Sequence, residues 1–289
     1  TTMIAGYGFK IAAVPFHMWA PDVYEGAATP VSVFLSAGSK KMGIVVFIKI
    51  FFVMFIIVQS VYSGFTEGMQ YLFAILAAIT MTVGNVVAIV QNNVKRMLAY
   101  SSIAQAGYMM IAFAVLSQWA LTSTVFYMFA HVFMKGGAFI IVAALIHAGV
   151  GETLQDYRGL AKRAPLLSAL MLIFLFSLAG IPPLGGFTAK FFLFSAAIVT
   201  EPSGIVTSQW IWLAFVAIIN SAISLYYYAK VVKAMYIEKG STEERFKVPP
   251  VITFAAVLCV LGVIVMGVYP GPILEYCSQA ASAIMSALP

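Results

Sequence analysis

Apolar runs of about twenty residues follow one another along almost the whole chain, separated by short turns that hold the glycines, the prolines and most of the few charges. At 1.5 Å per helical residue, such a run matches the roughly 30 Å hydrocarbon core of a bilayer. Eight helices are predicted on that measure, over residues 3–19, 30–58, 70–91, 95–115, 120–148, 165–199, 208–237 and 249–268. The first contains Pro15 and the sixth contains Pro182-Pro183. Proline donates no backbone hydrogen bond and clashes with the preceding turn, so both helices are expected to break there; Pro15 frees the carbonyl of Ile11. Residues 272–288 are shorter and mixed in polarity, which predicts an interfacial helix. The longer links are an amphipathic one from Gly149 to Ala164 and a charged one from Glu238 to Lys247.

The two interrupted helices are five apart, and because five is odd they cross in opposite directions. Inverted five-helix repeats with breaks at matching places are a transporter signature, with ions handled at the interruptions. Residues 70–237 then form one complete repeat, residues 1–58 the end of another, and residues 249–289 a terminal span with its tail. On this count the first repeat is short of three helices, and the chain is expected to begin in mid-protein. The fold class that follows is all-α, a polytopic transmembrane bundle with discontinuous helices.

Composition agrees: of 289 residues, 62% are hydrophobic and 9% charged, against about 25% charged in soluble domains. The net charge of +6 comes without a basic, aromatic-studded patch, so nucleic acid is excluded as a partner. Cys259 and Cys277 are too few and too far apart for an iron–sulfur or zinc site, and no glycine-rich phosphate loop follows a strand, so no cofactor or metal is expected in this chain. Charge also orients the bundle. The loops after the third, fifth and seventh helices carry Lys95, Arg96, Arg158, Lys162, Arg163, Lys239, Arg245 and Lys247, whereas those after the second, fourth and sixth carry no Lys or Arg. The positive-inside rule makes the first set cytoplasmic. Trp119, Trp210 and Trp212 then lie at the opposite face as an aromatic belt, and Lys49 snorkels toward that face.

Five lysines fall inside apolar segments: Lys10, Lys40, Lys41, Lys135 and Lys190. Lys40 is about ten residues into its helix, roughly 15 Å, near the midplane. A charge there costs roughly 2.5–3.5 kcal/mol on insertion scales and is retained where it is buried against protein or lines a wet path. All the acidic residues, from Asp22 to Glu275, lie in loops or near helix ends. A buried amine without a carboxylate partner releases its proton readily, and a row of such amines bridged by water conducts protons. The alternative is that each lysine snorkels or pairs with a neighbouring subunit. Taken together, Lys10, Lys40 and Lys190 favour proton transfer; Lys41, about 100° around the helix from Lys40, favours the alternative. His131 and Lys135 share one helix face, so His131 is a candidate relay, with a satisfied core histidine as its rival. His17 reads as structural and His147 as interfacial. Ser101, Ser102 and Tyr108 either hydrate a channel or join helices, and Tyr226-Tyr227-Tyr228 read as packing and lipid contact.

Three blocks of residues carry a resemblance. They are Phe9-Lys-Ile-Ala-Ala-Val-Pro-Phe-His17 with Trp19 to Gly26, Thr29-Pro-Val and Gly38-Ser-Lys40; Gln91-Asn-Asn-Val-Lys-Arg-Met-Leu-Ala-Tyr-Ser-Ser-Ile-Ala104; and Gly180-Ile-Pro-Pro-Leu-Gly-Gly-Phe-Thr-Ala-Lys190-Phe. Together they closely resemble the N-type antiporter-like subunit of NADH:quinone oxidoreductase, respiratory complex I. The resemblance implies a fourteen-helix fold with two inverted five-helix bundles, of which this sequence is similar to the part from the seventh helix onward. It implies that Lys10 is the central lysine of the first half-channel, Lys40 the lysine linking the halves and Lys190 the lysine of the second, with the glutamate that pairs with Lys10 on an earlier helix. It further implies a proton-pumping subunit without its own redox centre, in a prokaryotic plasma membrane beside sister antiporter-like subunits, with FMN, Fe–S clusters and quinone held by partner subunits. The His131-x-x-x-Lys135 pattern is more similar to the larger sister subunits. The rival classes are a subunit of a multisubunit cation/proton antiporter, a subunit of a related membrane-bound dehydrogenase or hydrogenase using another electron donor, and a non-conducting scaffold.

Overall fold

The computed structural model describes residues 2–52, 54, 58, 63–199, 208–240, 244–246 and 248–286. Among them the architecture is all-helical, with a single isolated bridge, Asn93 to Thr153, outside the helices. The helices are α1 (Thr2–Ile11), α2 (Trp19–Gly26), α3 (Thr29–Phe51), α4 (Ser63–Ile89), α5 (Val94–Val115), α6 (Gln118–His147), α7 (Leu160–Arg163), α8 (Pro165–Ala179), α9 (Gly185–Ala196), α10 (Ile211–Tyr236), α11 (Pro250–Val268) and α12 (Gly271–Ser286). Six of them, α3 to α6, α10 and α11, are long and apolar enough to cross a membrane. The protein is a multi-pass membrane bundle.

The sixth predicted helix breaks where its prolines stand: α8 ends at Ala179, Gly180 turns the chain at φ 92°, and α9 starts at Gly185. Glycine takes that left-handed conformation without the Cβ clash other residues suffer. The Ser177 hydroxyl accepts a bond from the Gly186 N–H at 3.0 Å and holds the two halves together. The first helix departs from its predicted limits. It ends at Ile11, ahead of Pro15, and the residues read as a loop after position 19 form α2. The reason is geometric: with the Ile11 end of the helix already freed by Pro15, the chain turns through Ala12 at φ 57° and restarts at Trp19. Both breaks contain a cis X-Pro bond, Val14-Pro15 and Pro182-Pro183.

α5 is the enclosed element. Of Val94–Met109 all but Arg96 are buried, with α2, α4, α6 and α10 around it. Its N-terminus is capped by the Asn93 side chain, which accepts from the Arg96 N–H at 3.1 Å. Close approach of α4 requires small residues: a Cβ on Gly107 would stand 2.6 Å from the Met81 backbone nitrogen. Gly107→Val is therefore expected to force the helices apart and destabilise the bundle by about 1–3 kcal/mol, read as a lower thermal unfolding midpoint in detergent; an unchanged midpoint would contradict that packing.

α6 is the hub on the other side, touching α3, α8, α9, α11 and α12. The tail helix α12 lies against it, with Gln118 Nε2 donating to Ser282 Oγ at 2.8 Å. Trp210 corrects the aromatic-belt reading. It is buried against Tyr71, with ring centroids 5.1 Å apart, while Trp212, two residues on, is exposed. Trp119 is half-buried, and its Nε1 donates to Ser195 Oγ at 3.4 Å.

At the face that carries the basic loops, ion pairs tie α2 to α5. Lys95 is buried and donates to the carbonyls of Glu25 (2.8 Å) and Ala27 (3.0 Å) and to the Glu152 carboxylate (3.1 Å). Arg96 reaches both Asp22 and Glu25 at 2.7 Å. Lys247 lies outside the described residues.

A buried row of lysines as candidate functional site

α5 supplies the floor of the site. Ser101, Ser102, Gln105 and Tyr108 fall at i, i+1, i+4 and i+7, which at 3.6 residues per turn makes one polar stripe along an otherwise apolar helix. Lysines from three other helices meet it.

Lys40 and Lys41 follow a π-helical turn, Leu35–Ser39, in the middle of α3. Such turns loosen the carbonyl ladder and recur at functional sites. Lys40 is 2% exposed, and its ammonium donates to Ser102 Oγ at 3.2 Å and lies 5.5 Å from the centroid of the Tyr24 ring of α2. Lys41 belongs to the site, contrary to its reading as a bystander. Its Nζ donates to the Ser36 carbonyl at 2.9 Å and meets His131 Nδ1 at 2.5 Å. Whichever of the two donates in that contact, the other must offer a lone pair, so the pair shares one proton between its nitrogens. The 100° separation from Lys40 does not remove Lys41, because α6 covers the face to which it points.

On α6, His131 and Lys135 are both fully buried and lie one turn apart. Lys135 donates to Ser101 Oγ, and its ammonium lies 5.9 Å from the Phe139 ring. Lys40 and Lys135 therefore rest on the two adjacent serines of α5.

Lys190, on α9, is 3% exposed. Its three donors are all used: Leu178 O, Ala179 O and Ser221 Oγ each accept at 2.9 Å. The two carbonyls are those that the break of α8 releases, at a helix C-terminus whose partial negative charge favours a cation. Ser221 hands its own proton to Ala179 O at 3.1 Å, so its lone pair faces the lysine. Lys190 also lies 5.4 Å from the Tyr108 ring, which brings it back to the α5 stripe. Beside it an apolar cavity of about 430 Å³, lined by Phe187, Phe191, Phe194 and Leu225 among others, opens between α9 and α10. Gly180→Ala is expected to crowd the Lys190 stem, whose Cδ would lie 3.0 Å from the new Cβ, and to strain a left-handed turn. The expected cost is about 1–2 kcal/mol, measured as a lower unfolding midpoint; a midpoint equal to the parent's would count against a tight break.

Between Lys135 and Lys190 lies a polar cluster that joins Tyr108, Tyr227 and Tyr228 to Gln105, Asn85, Asn220 and Tyr127, none of which stands out in the sequence. Tyr127 donates to Gln105 Oε1. Asn85 of α4 donates to Tyr108 Oη at 3.0 Å and to Asn220 Oδ1 at 3.2 Å, and accepts from Tyr227 at 2.8 Å. The Tyr228 hydroxyl faces Ser101, Gln105 and Tyr227 without closing a hydrogen bond. The packing-and-lipid reading of the three tyrosines therefore holds for Tyr226, which is exposed, and is corrected for Tyr227 and Tyr228, which are buried. Uncharged Asn85 and Asn220 inside apolar spans were the available signal, since a buried amide needs partners.

Lys10 stands apart. It is exposed on α1 rather than buried, at a cavity of about 560 Å³ with Met3, Tyr7, Met42, Gly43 and Val46. The structure does not bring it to the other lysines. His17 is buried in the turn between α1 and α2, within electrostatic reach of Lys40. Among the described residues no group of three His, Cys, Asp or Glu side chains could hold a metal.

The fold and site together define a multi-pass membrane bundle with an interrupted helix and a row of buried amines. A family model described as NADH:quinone oxidoreductase/Mrp antiporter, transmembrane, matches residues 1–224, and the chain belongs to that family. It is 46% identical to the F420H2 dehydrogenase subunit N of Methanosarcina mazei, over 98% of this chain and 56% of that protein. To NADH-quinone oxidoreductase subunit N 2 of Sorangium cellulosum it is 44% identical, over 98% of this chain and 55% of that protein. The chain thus spans about half the length of the curated relatives it matches. A chain of respiratory complex I from Thermus thermophilus with bound aureothin superposes with a TM-score of 0.74 at 30% identity, over 94% of this chain and 57% of that one.

Proposed function

We propose that the chain is part of the N-type proton-translocating subunit of an NADH:quinone oxidoreductase-type complex. The observation that carries this is the row Lys40, Ser102, Ser101, Lys135, with Lys41 and His131 alongside and Lys190 beyond the tyrosine and glutamine cluster. Its amines are bonded to hydroxyls, carbonyls and an imidazole, and no carboxylate pairs with them among the described residues. Such groups exchange protons with one another, and protonation of one lowers its neighbours' affinity for theirs. Quinone reduction elsewhere in the complex supplies the drive. FMN, Fe–S clusters and quinone belong to partner subunits, and sister antiporter-like subunits flank this one. Lys10, on α1 and apart from this row, is assigned proton transfer in the first half-channel on the family resemblance. The basic loops face the cytoplasm of a prokaryotic cell, with the bundle in its plasma membrane. The names of the relatives favour a redox-driven complex over a cation/proton antiporter, and they include both NADH and F420H2 as donor.

The test is Lys40→Met in the complex reconstituted into vesicles. Protons taken up per quinone reduced are expected to fall at least fivefold, while electron transfer measured with a protonophore persists. Undiminished uptake would reject the proposal.

A further inference from the structure

The link between α6 and α7 and the end of α10 enclose a polar cleft of about 550 Å³, separate from the lysine row. Gln155, Asp156, Arg158, Arg163 and Lys239 line it. The Arg163 guanidinium is stacked 5.4 Å from the Phe246 ring, and its Nε is buried without a hydrogen-bond partner. The ring contact holds the guanidinium at the cleft wall, and arginine's planar fork is the group that takes two oxygens of a phosphate. Among the described residues neither Arg163 nor Lys239 has an ion-pair partner, whereas Arg158 is held by Glu238 at 2.7 Å. The one carboxylate on the wall, Asp156, is turned to Thr153, accepting from its N–H at 2.8 Å and from its hydroxyl at 2.5 Å. An adjoining cleft of about 310 Å³ shares Gln155 and Arg158 and adds Lys230 of α10.

We propose that this cleft binds a phosphate group at the membrane surface, gripped by the Arg163 fork and the Lys239 ammonium. A loop made basic only for orientation would leave its cations solvated and unordered. Here one cation is stacked, partly buried and short of an acceptor. Basic pockets at the ends of transmembrane helices take anionic headgroups, and free phosphate carries the same chemistry.

The complex carrying this chain, stripped of lipid in detergent, is to be titrated with short-chain phosphatidylglycerol, short-chain phosphatidylcholine and inorganic phosphate, with bound ligand read by native mass spectrometry. The expected result is one tight phosphatidylglycerol that Arg163→Gln with Lys239→Gln weakens at least tenfold. Displacement by inorganic phosphate would support the site with the phosphate alone as its ligand; resistance to it would support the site with the lipid as its source. Equal binding of phosphatidylcholine, or unchanged binding in a double variant that unfolds at the parent midpoint, would overturn the proposal. If the double variant fails to assemble, Lys239→Gln alone, at an exposed side chain, is expected to weaken binding about threefold, and no change there overturns it as well.

Discussion

Lys190→Arg is expected to lower proton translocation below a tenth of the parent rate while the complex assembles normally. The argument separates charge from proton exchange. Lys190 is held by two carbonyls from the broken end of α8 and by Ser221, all at 2.9 Å. An arginine keeps a cation at that helix terminus and offers more donors, and the adjoining cavity of about 430 Å³ leaves room for its larger head. What it cannot do is give up its proton, because the guanidinium stays charged at any accessible pH. Lys190→Ala removes proton exchange and also strands the Leu178 carbonyl, at about 1–3 kcal/mol for a buried group left unpaired, while the Ala179 carbonyl keeps the Ser221 hydroxyl. It should therefore be inactive and also less stable. Proton uptake into vesicles, normalised to quinone reduced, is the measurement. An arginine variant that pumps at the parent rate would make Lys190 a fixed counter-charge for the α8 terminus and would remove it from the route.

The architecture was legible because the bilayer imposes a single length on apolar helices and because proline interrupts them in a fixed way. Hydropathy located the six long spans, and Pro182-Pro183 located the break between α8 and α9. Where the reading missed, the cause was tertiary. Trp19–Gly26 reads as a loop in sequence, yet its Asp22 and Glu25 carboxylates are held by Arg96, 74 and 71 residues away, which a local pattern does not reveal. Lys41 was set aside on its angular offset from Lys40, a sound argument for a lone helix that fails once α6 brings His131 to the other side. Lys10 lies at an open cavity with Met3, Tyr7 and Met42, and the glutamate that the resemblance pairs with it belongs to an earlier helix. Gln105, Asn85 and Asn220 went unnamed because uncharged polar residues in apolar spans commonly serve as helix glue. Their role shows only when Tyr108, Tyr127 and Tyr227 converge on them.

Lys135→Ala is the second change expected to take translocation below a tenth of the parent rate, and it tests the link between Lys40 and the distal half of the row. Lys135 is fully buried at the centre of the thirty-residue helix α6, and its ammonium and that of Lys40 rest on the adjacent hydroxyls of Ser101 and Ser102. Alanine is the best helix former, so α6 itself should not suffer; the loss falls on the only amine that α6 contributes to the stripe. The control is the pair Ser101→Ala and Ser102→Ala, which keeps both lysines and deletes the hydroxyls between them. Each lost hydrogen bond to a charged group costs about 1.5–3 kcal/mol, enough to misplace the amines without removing a proton site. The serine pair is accordingly expected to slow translocation about tenfold or less and to leave the number of protons moved per quinone unchanged. Lys135→Ala should lower that number itself. If both variants change rate alone, the row carries protons past Lys135 by another path, and the cluster around Gln105 and Tyr228 becomes the element to substitute next.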